Sequence, residues 1–399
     1  MTANRVPTII SDLCEITSSK RIYAADYQSA GIPFYRGKEI SEKQSGKSGV
    51  STELFISVEK YEEIKKRFGV PRGGDLLLTS VGTLGVPYVV RPNETFYFKD
   101  GNLTWFRNLK GIDSRFLYYW LLSPTGKAEL KKCTIGSSQP AFTIVLLKGM
   151  TVDLPSEPLQ RRIAAILSTY DDLIDNNTRR IKILEEMARR IYEEWFVQFR
   201  FPGHKNVKMV ESELGLIPDS WEVKKLGSLI KRLRAGNTYR ENDVTSEGDV
   251  MVVDQSTTEY LGFHNNQPDH QASPEKPIII FGDHTCKLQV MVTPFSIGAN
   301  TVPFIANDET SIYYLHNLIK GLVTTQEYKR HWTELNNKTV IKAPSKFCNQ
   351  YDEIVKPFFA TMDVLRSKKR NLRRTRDLLL PKLISGEIDV SNFPEPVSD

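Results

Sequence analysis

Ile163, Leu167, Tyr170, Ile174, Asn177, Ile181, Leu184, Ala188, Ile191 and Trp195 follow one another at alternating intervals of four and three, and nine of the ten are apolar. That spacing keeps one side of an α-helix apolar along its whole length and predicts a coiled-coil seam. A helix over 163–195 would be about 50 Å long, well beyond the usual globular helix. A similar pattern returns 188 residues later, where Ile354, Val355, Phe358, Met362, Leu365, Leu372, Leu379 and Leu383 answer Ile166, Leu167, Tyr170, Ile174, Asn177, Leu184, Ile191 and Trp195. The chain therefore reads as a tandem repeat of roughly half its length. Asn177 is the polar exception, a residue that costs stability in a seam but can fix its register.

Pro155-Ser156 and Pro344-Ser345 stand at the two helix starts, each Ser placed to cap and each Pro ending the extended segment before it. The first helix should stop by Phe201-Pro202-Gly203, and the second should break or kink at Pro381, ahead of Ser385-Gly386. Before each helix lies a mixed unit. In the first, Asp75–Thr79, Ser80–Gly85 and Val86–Val90 read as a hairpin, with helices over 57–67 and 113–122. From Trp221 the pattern restarts, through Pro277–Phe281, the turn Gly282-Asp283-His284-Thr285, and a helix near 309–320. The expected fold is α+β: two similar globular α/β units, separated by two long antiparallel helices in a coiled coil about a pseudo-twofold axis. The boundaries are 1–155, a long helix over 156–200, connector and second unit over 201–343, a long helix over 344–388, and a flexible tail over 389–399.

Composition narrows the class. The chain has 399 residues, 40% of them hydrophobic, and a net charge of +6, enough for two or three ordinary cores. No run approaches eighteen apolar residues and no signal pattern opens the chain, so the expected location is the cytoplasm. Cys14, Cys133, Cys286 and Cys348 lack CxxC spacing and read as reduced thiols, not zinc ligands. Charge is uneven: 21 Lys+Arg against 15 Asp+Glu in 1–155, but 15 against 17 in 201–343. Phosphate contacts in the second unit would have to come from local clusters such as Lys231, Arg232 and Arg234, or Lys329 and Arg330.

Several long runs resemble one family. Leu154-Pro155-Ser156-Glu157-Pro158-Leu159-Gln160, Asp171-Asp172-Leu173-Ile174-Asp175-Asn176-Asn177, Ile183-Leu184-Glu185-Glu186-Met187-Ala188 and Trp195-Phe196-Val197-Gln198-Phe199-Arg200-Phe201-Pro202-Gly203 are similar to the central region of type I restriction–modification specificity subunits. The connector Leu214–Trp221 and the C-terminal run Arg376–Ile388 resemble that family's other hallmarks. The resemblance implies that 1–155 and 201–343 are target-recognition domains. It further implies a non-catalytic chain assembled with double-stranded DNA, two modification (methyltransferase) subunits and, for cleavage, two restriction subunits. No cofactor is then expected in this chain; the partners would use S-adenosylmethionine, and ATP with Mg for restriction. Independently of the resemblance, two unlike readers on a rigid spacer suit two unlike half-sites on one duplex.

Reading bases needs polar groups on loops, with cations on phosphates. In the first unit the candidates are Arg36 and Lys38, then Thr79, Ser80 and Thr83, then Ser137, Ser138 and Gln139. In the second they are Gln255, then His284, Thr285 and Lys287, then Asn336, Asn337 and Lys338. Such loops are often ordinary turns. For partner subunits the candidates are Trp195, Phe196 and Phe199, for which the core of the adjacent domain is the first expected cover and a modification-subunit helix the second, and Arg370 and Arg373. The two arginines belong to a run in which seven of the eleven residues 366–376 are basic, which reads as a solvated helix face, a docking surface for a modification subunit, or a contact to spacer-DNA phosphates.

Catalysis finds little footing. Asp219, Glu222 and Lys224 imitate a nuclease PD…ExK set, but two residues between the carboxylates leave no room for its hairpin. Gly46-Lys47-Ser48 ends like a phosphate-binding loop, yet residue 41 is Ser where the first Gly belongs. No Asn/Asp-Pro-Pro-aromatic motif for base methylation is present. The remaining alternative is a stand-alone sequence-specific DNA-binding or scaffold protein without methyltransferase partners.

Overall fold

The computed structural model describes residues 5–44, 52–307, 310–325 and 329–394; Gly46-Lys47-Ser48 and the end of the expected tail lie outside them. Two compact units divide the chain, Met1–Thr178 with Lys368–Asp399 and Arg179–Ser367. Each takes part of both long helices, Glu157–Tyr192 and Ser345–Ser385.

The first unit is closed by an antiparallel pair, Val6–Ile9 with Thr151–Leu154. Its centre is a four-stranded antiparallel sheet in the order Glu15–Thr17, Leu103–Arg107, Leu76–Thr79, Pro87–Val89. Beside it, Phe55–Ile56, Ile32–Tyr35 and Tyr97–Phe98 form a small sheet whose last pair is parallel. The second unit repeats this plan. Glu222–Lys225 pairs with Thr339–Lys342, and the central sheet runs Ile230–Arg232, Thr301–Ala306, Ile278–Gly282, Leu288–Met291. The small sheet again has a parallel pair, Val250–Val253 with Phe295–Gly298. The two long helices start at 157 and 345, the same 188-residue interval as the seam repeat.

Burial explains why the hairpin strands read as unbroken apolar runs. Leu76 and Leu78 pack into one cluster with the helix Ser114–Leu122, while Leu77 faces Tyr88, Phe98 and Trp105 on the opposite side. In the second unit Ile279 and Phe281 share a cluster with the helix Ile312–Ile319, and Ile278 and Ile280 face Met251 and Phe295. Each central sheet is thus covered on both faces, which suits continuous rather than alternating hydrophobicity.

The seam is occupied as its spacing demands. Ile163, Leu167, Ile174, Asn177, Ile181 and Ala188 are all buried. In the first unit Ile163 and Leu167 share a cluster with Leu380, Leu383 and Ile384, and Arg376 is bonded to Asp171. In the second, the Tyr351 hydroxyl donates to the Ala188 carbonyl (3.0 Å), while Arg366 reaches Glu185 at 3.2 Å. In both units higher residue numbers on one helix meet lower numbers on the other, an antiparallel pairing. Within the expected second seam, Ile354 is an exception at 39% exposure.

The expected break at Pro381 is absent: the helix continues through Pro357 and Pro381 to Ser385. Proline costs roughly 3 kcal/mol inside a helix, and burial of Leu380, Leu383 and Ile384 on either side of Pro381 offsets it. The Arg5 guanidinium adds hydrogen bonds to the Leu383 and Ile384 carbonyls. Gly386, at φ 82°, then ends the helix, with the Ile388 amide returning to the Lys382 carbonyl at 3.1 Å. Ser345, expected as a cap, is instead the first helical residue. The first long helix ends in a single π turn, Glu193–Val197, short of Phe201-Pro202-Gly203.

Side chains from the long helices hold the helix starts of each unit. Gln160, fully buried, accepts from the Asp113 amide (2.8 Å) and donates to the Gly111 and Pro155 carbonyls (3.0 and 2.8 Å). In the second unit Asp352 accepts from the Tyr314 amide (3.2 Å). Burial pushes the Asp352 carboxyl up to about 6, against the hydrogen bonds from Ser311, Tyr313 and Tyr314. A carboxyl whose folded value exceeds its unfolded one favours the fold below the unfolded value and loses that contribution as pH rises through the folded one. The ionised group at neutral pH therefore costs about 3 kcal/mol. Asp352→Asn keeps an acceptor for Tyr314 and should raise the denaturation midpoint at pH 7.5. The gain should shrink toward zero at pH 4; a gain independent of pH would contradict this account.

Candidate nucleic-acid interface

In the first unit the three loops singled out by sequence meet. Strand Ile32–Tyr35 runs into Arg36-Gly37-Lys38, and the hairpin turn follows Leu76–Thr79. The third loop closes the pair Thr134–Ile135 with Ala141–Phe142. It is fastened to the hairpin turn by a bridge between Val81 and Ala141 and by the Phe142 amide on the Ser80 carbonyl (3.1 Å). Arg36, Lys38, Glu53, Gly82, Thr83 and Asn102 line one open groove. Ser137, Ser138 and Gln139 are exposed at the tip of their loop.

The side chains there differ in what they can still bond. Thr79 and Ser80 are buried, at 0% and 3% exposure. Thr79 Oγ1 donates to the Thr83 carbonyl and accepts from the Val86 amide (2.9 Å), while Ser80 Oγ lies 2.7 Å from Thr104 Oγ1. These two shape the turn and are withdrawn as base contacts, because their hydroxyls are consumed inside the protein. Arg36 reaches the buried Glu39 carboxylate at 2.8 Å through Nη2 and 3.4 Å through Nε, and its amide donates to the same group at 2.8 Å. Burial works to raise Glu39, but these bonds outweigh it and hold the carboxyl below its usual range. Lys38 is exposed. Asn102 was not a sequence candidate: Asp100-Gly101-Asn102 carries turn chemistry and no binding signature.

In the second unit Gln255 and the turn after Ile278–Gly282 occupy the equivalent topological positions. The His284 amide donates to Gln255 Oε1 (3.0 Å) and Thr285 Oγ1 to the Gln255 carbonyl (2.5 Å). The segment after the helix Ile312–Ile319 packs on the same turn. Thr325 Oγ1 donates to the Thr285 carbonyl (2.9 Å), and His284 Nδ1 lies 3.2 Å from the Lys329 carbonyl. The arrangement thus joins Gln255, His284, Thr285 and Lys287. Lys287 Nζ donates to the Asp254 and Thr258 carbonyls at 2.9 and 2.7 Å, and burial lowers its pKa.

Asn336, Asn337 and Lys338 do not join this group. They end the helix Trp332–Asn337 beside Glu222–Lys225, where Lys225 Nζ donates to the Asn337 carbonyl (3.3 Å) and Lys338 pairs with Glu334 (3.2 Å). The partner candidates divide similarly. Phe196 is buried among Trp221, Tyr314 and Tyr351, and Phe199 lies edge-on to Trp221. Trp195, half-buried, packs edge-on to Tyr351. The second unit's own core buries Phe196 and packs against Trp195 and Phe199, which stay partly exposed. The basic run is not an unpaired field either. Arg366 is bonded to Glu185, Arg376 to Asp171 and Asp377, and Lys369, Arg370 and Arg374 each have an interaction within the chain. Arg373 is exposed on a cleft of the first unit shared with Arg91, Arg115 and Tyr118. The imitation nuclease set is a same-strand ion pair, Lys224 with Glu222 at 2.6 Å. Among the described residues no helix is long and apolar enough to cross a membrane.

The chain thus carries two mixed units of one topology, each with a polar loop rim and a stretch of both long helices. The model of the type I restriction modification DNA specificity domain matches residues 8–186. The MjaIX specificity subunit of Methanocaldococcus jannaschii, a type I restriction enzyme, is 29% identical over 80% of this chain and 79% of its own length. The putative MjaX specificity subunit of the same organism is 23% identical over 96% and 93%. A crystal structure of the type I restriction–modification S subunit from M. genitalium shares the fold, with a TM-score of 0.58 and 16% identity over 96% of each chain. Residues 8–186 thus match the type I restriction modification DNA specificity domain, and most of the chain is similar to type I restriction enzyme specificity subunits.

Proposed function

We propose that each unit reads one half of an asymmetric, bipartite double-stranded DNA target. The paired long helices set the distance between the halves and dock two modification subunits, with two restriction subunits joining for cleavage. The chain contributes recognition and no catalysis; S-adenosylmethionine, and ATP with Mg, would act on the partners, in the cytoplasm. The observation that carries this reading is that the two units place loops at equivalent points of one topology but fill them with different side chains. Arg36, Lys38 and Thr83 stand in one unit where Gln255, His284 and Thr285 stand in the other. Equal scaffolds with unlike rims suit unlike half-sites.

Replacing residues 1–155 by the corresponding unit of another family member should change one half of the methylated sequence and leave the other half and the spacing intact. Single-molecule methylation sequencing of DNA from cells expressing the complex reads this directly. A change in both halves, or in neither, rejects it. Failure of the native chain to co-purify with modification subunit would favour the stand-alone DNA-binding reading.

A further inference from the structure

We propose that Lys287 is a positioning residue for recognition by the second unit: its ammonium clamps the loop carrying Gln255 and makes no contact with DNA. This rests on the bipartite reading given above. The loop follows a strand whose four residues are all buried, Val250–Val253, so its start is fixed by the core. Beyond that point Lys287 Nζ binds the carbonyls of Asp254 and Thr258, one on each side of Gln255. Two charge-assisted bonds to backbone tie down a loop more firmly than side-chain contacts at its tip.

The hairpin turn adds a second hold. The His284 amide on Gln255 Oε1 sets which way the side-chain amide faces, and Thr285 Oγ1 takes the Gln255 carbonyl. Among the described residues, Gln255 Nε2 is left without a protein partner, as a donor for a base-edge acceptor. The approach is close: a Cβ on Gly282 would stand 2.9 Å from Gln255 Cβ and 3.1 Å from its Cα. A lysine engaged in this way has spent two of its three donors on the loop. The loop conformation, and with it the placement of Gln255, depends on that ammonium.

The test compares Lys287→Met with the wild type, as free full-length chain and in the complex with modification subunits. In the free chain, amide hydrogen exchange over 254–260 should accelerate by about tenfold or more while Ile278–Gly282 stays protected. In the complex, methylation sequencing should show degenerate bases in the half-site read by the second unit and an unchanged first half-site. Lys287→Arg, which keeps a cation, should restore part of both. Unchanged exchange with binding weakened across all sequences, and a shallower salt dependence, would make Lys287 a phosphate contact and overturn the proposal. Unchanged exchange with an unchanged target would overturn it as well. If Lys287→Met unfolds the whole unit, exchange accelerates in Ile278–Gly282 too, and the clamp is rejected in favour of a global structural role. If the wild-type complex methylates no bipartite site, the functional reading fails, whereas the exchange arm still decides whether the clamp exists.

Discussion

Phe196→Ala should destabilise the second unit by about 4 kcal/mol, because deleting a large buried ring removes its burial and leaves a cavity that a rigid surround cannot close. The surround here is other rings. Tyr192, Trp195, Trp221, Tyr314 and Tyr351 all have centroids between 4.7 and 6.1 Å from that of Phe196, and the Tyr314 and Tyr351 contacts are edge-on. Tyr314 and Tyr351 are further held by hydrogen bonds to the Ile341 and Ala188 carbonyls, so neither can swing into the void. Phe196→Leu, which keeps much of the volume, should cost less than half as much. Denaturant titration followed by tryptophan fluorescence measures the loss, since Trp195 and Trp221 both border the site. The opposite outcome is equally readable. A Phe196→Ala chain of wild-type stability that no longer binds modification subunit would return this ring to the partner surface.

Phe196 also illustrates what the sequence carries and what it hides. The seam was legible because its signal is local: residues three and four apart lie on one helix face whatever else the chain does. The hairpin Leu76–Thr79 with Pro87–Val89 was legible for the same reason, being a short apolar run, a turn and a second run. That the adjacent domain covers Trp195, Phe196 and Phe199 was readable, but the covering residues were not, because Trp221, Tyr314 and Tyr351 lie in segments between about 20 and more than 150 residues away. Local spacing shows that a surface must be covered but not by what.

The interface shows the same division. Sequence located the loops, since polar segments between strand-like runs are turns wherever they fall, and the structure joins most of them into one rim per unit. It could not tell a presented side chain from a consumed one. Thr79 and Ser80 have the composition of contacts, yet the groups that occupy them are the backbone of Thr83 and Val86 and the hydroxyl of Thr104. Pro381 went the other way: of the break or kink that its local rule predicts, the break does not occur, because burial of its neighbours keeps the helix continuous.

A feature that local reading passed over yields the second large effect. Gly126→Ala should cost on the order of 4 kcal/mol, although Ala favours helices over Gly by about 1 kcal/mol and Gly126 lies inside the helix Pro124–Lys132. That helix starts one residue after Ser114–Leu122 ends. The buried Ser123 makes the corner, donating to the Trp120 carbonyl (2.6 Å) and accepting from the Gly126 amide (3.2 Å). The fold there brings backbone against backbone: a Cβ on Gly126 would stand 2.0 Å from the Trp120 oxygen and 2.8 Å from the Leu121 Cα. No rotamer change relieves a clash with main chain, so the corner must open. Trp120 and Leu121, both buried in the first unit's cluster, must then shift with it. Lys127→Ala, at the exposed neighbouring position, is the control and should stay within about 0.5 kcal/mol of wild type. Thermal unfolding with hydrogen exchange over 114–132 separates the two variants. A Gly126→Ala chain as stable as the wild type would mean that the corner relaxes freely and that helix propensity, not close approach, decides this position.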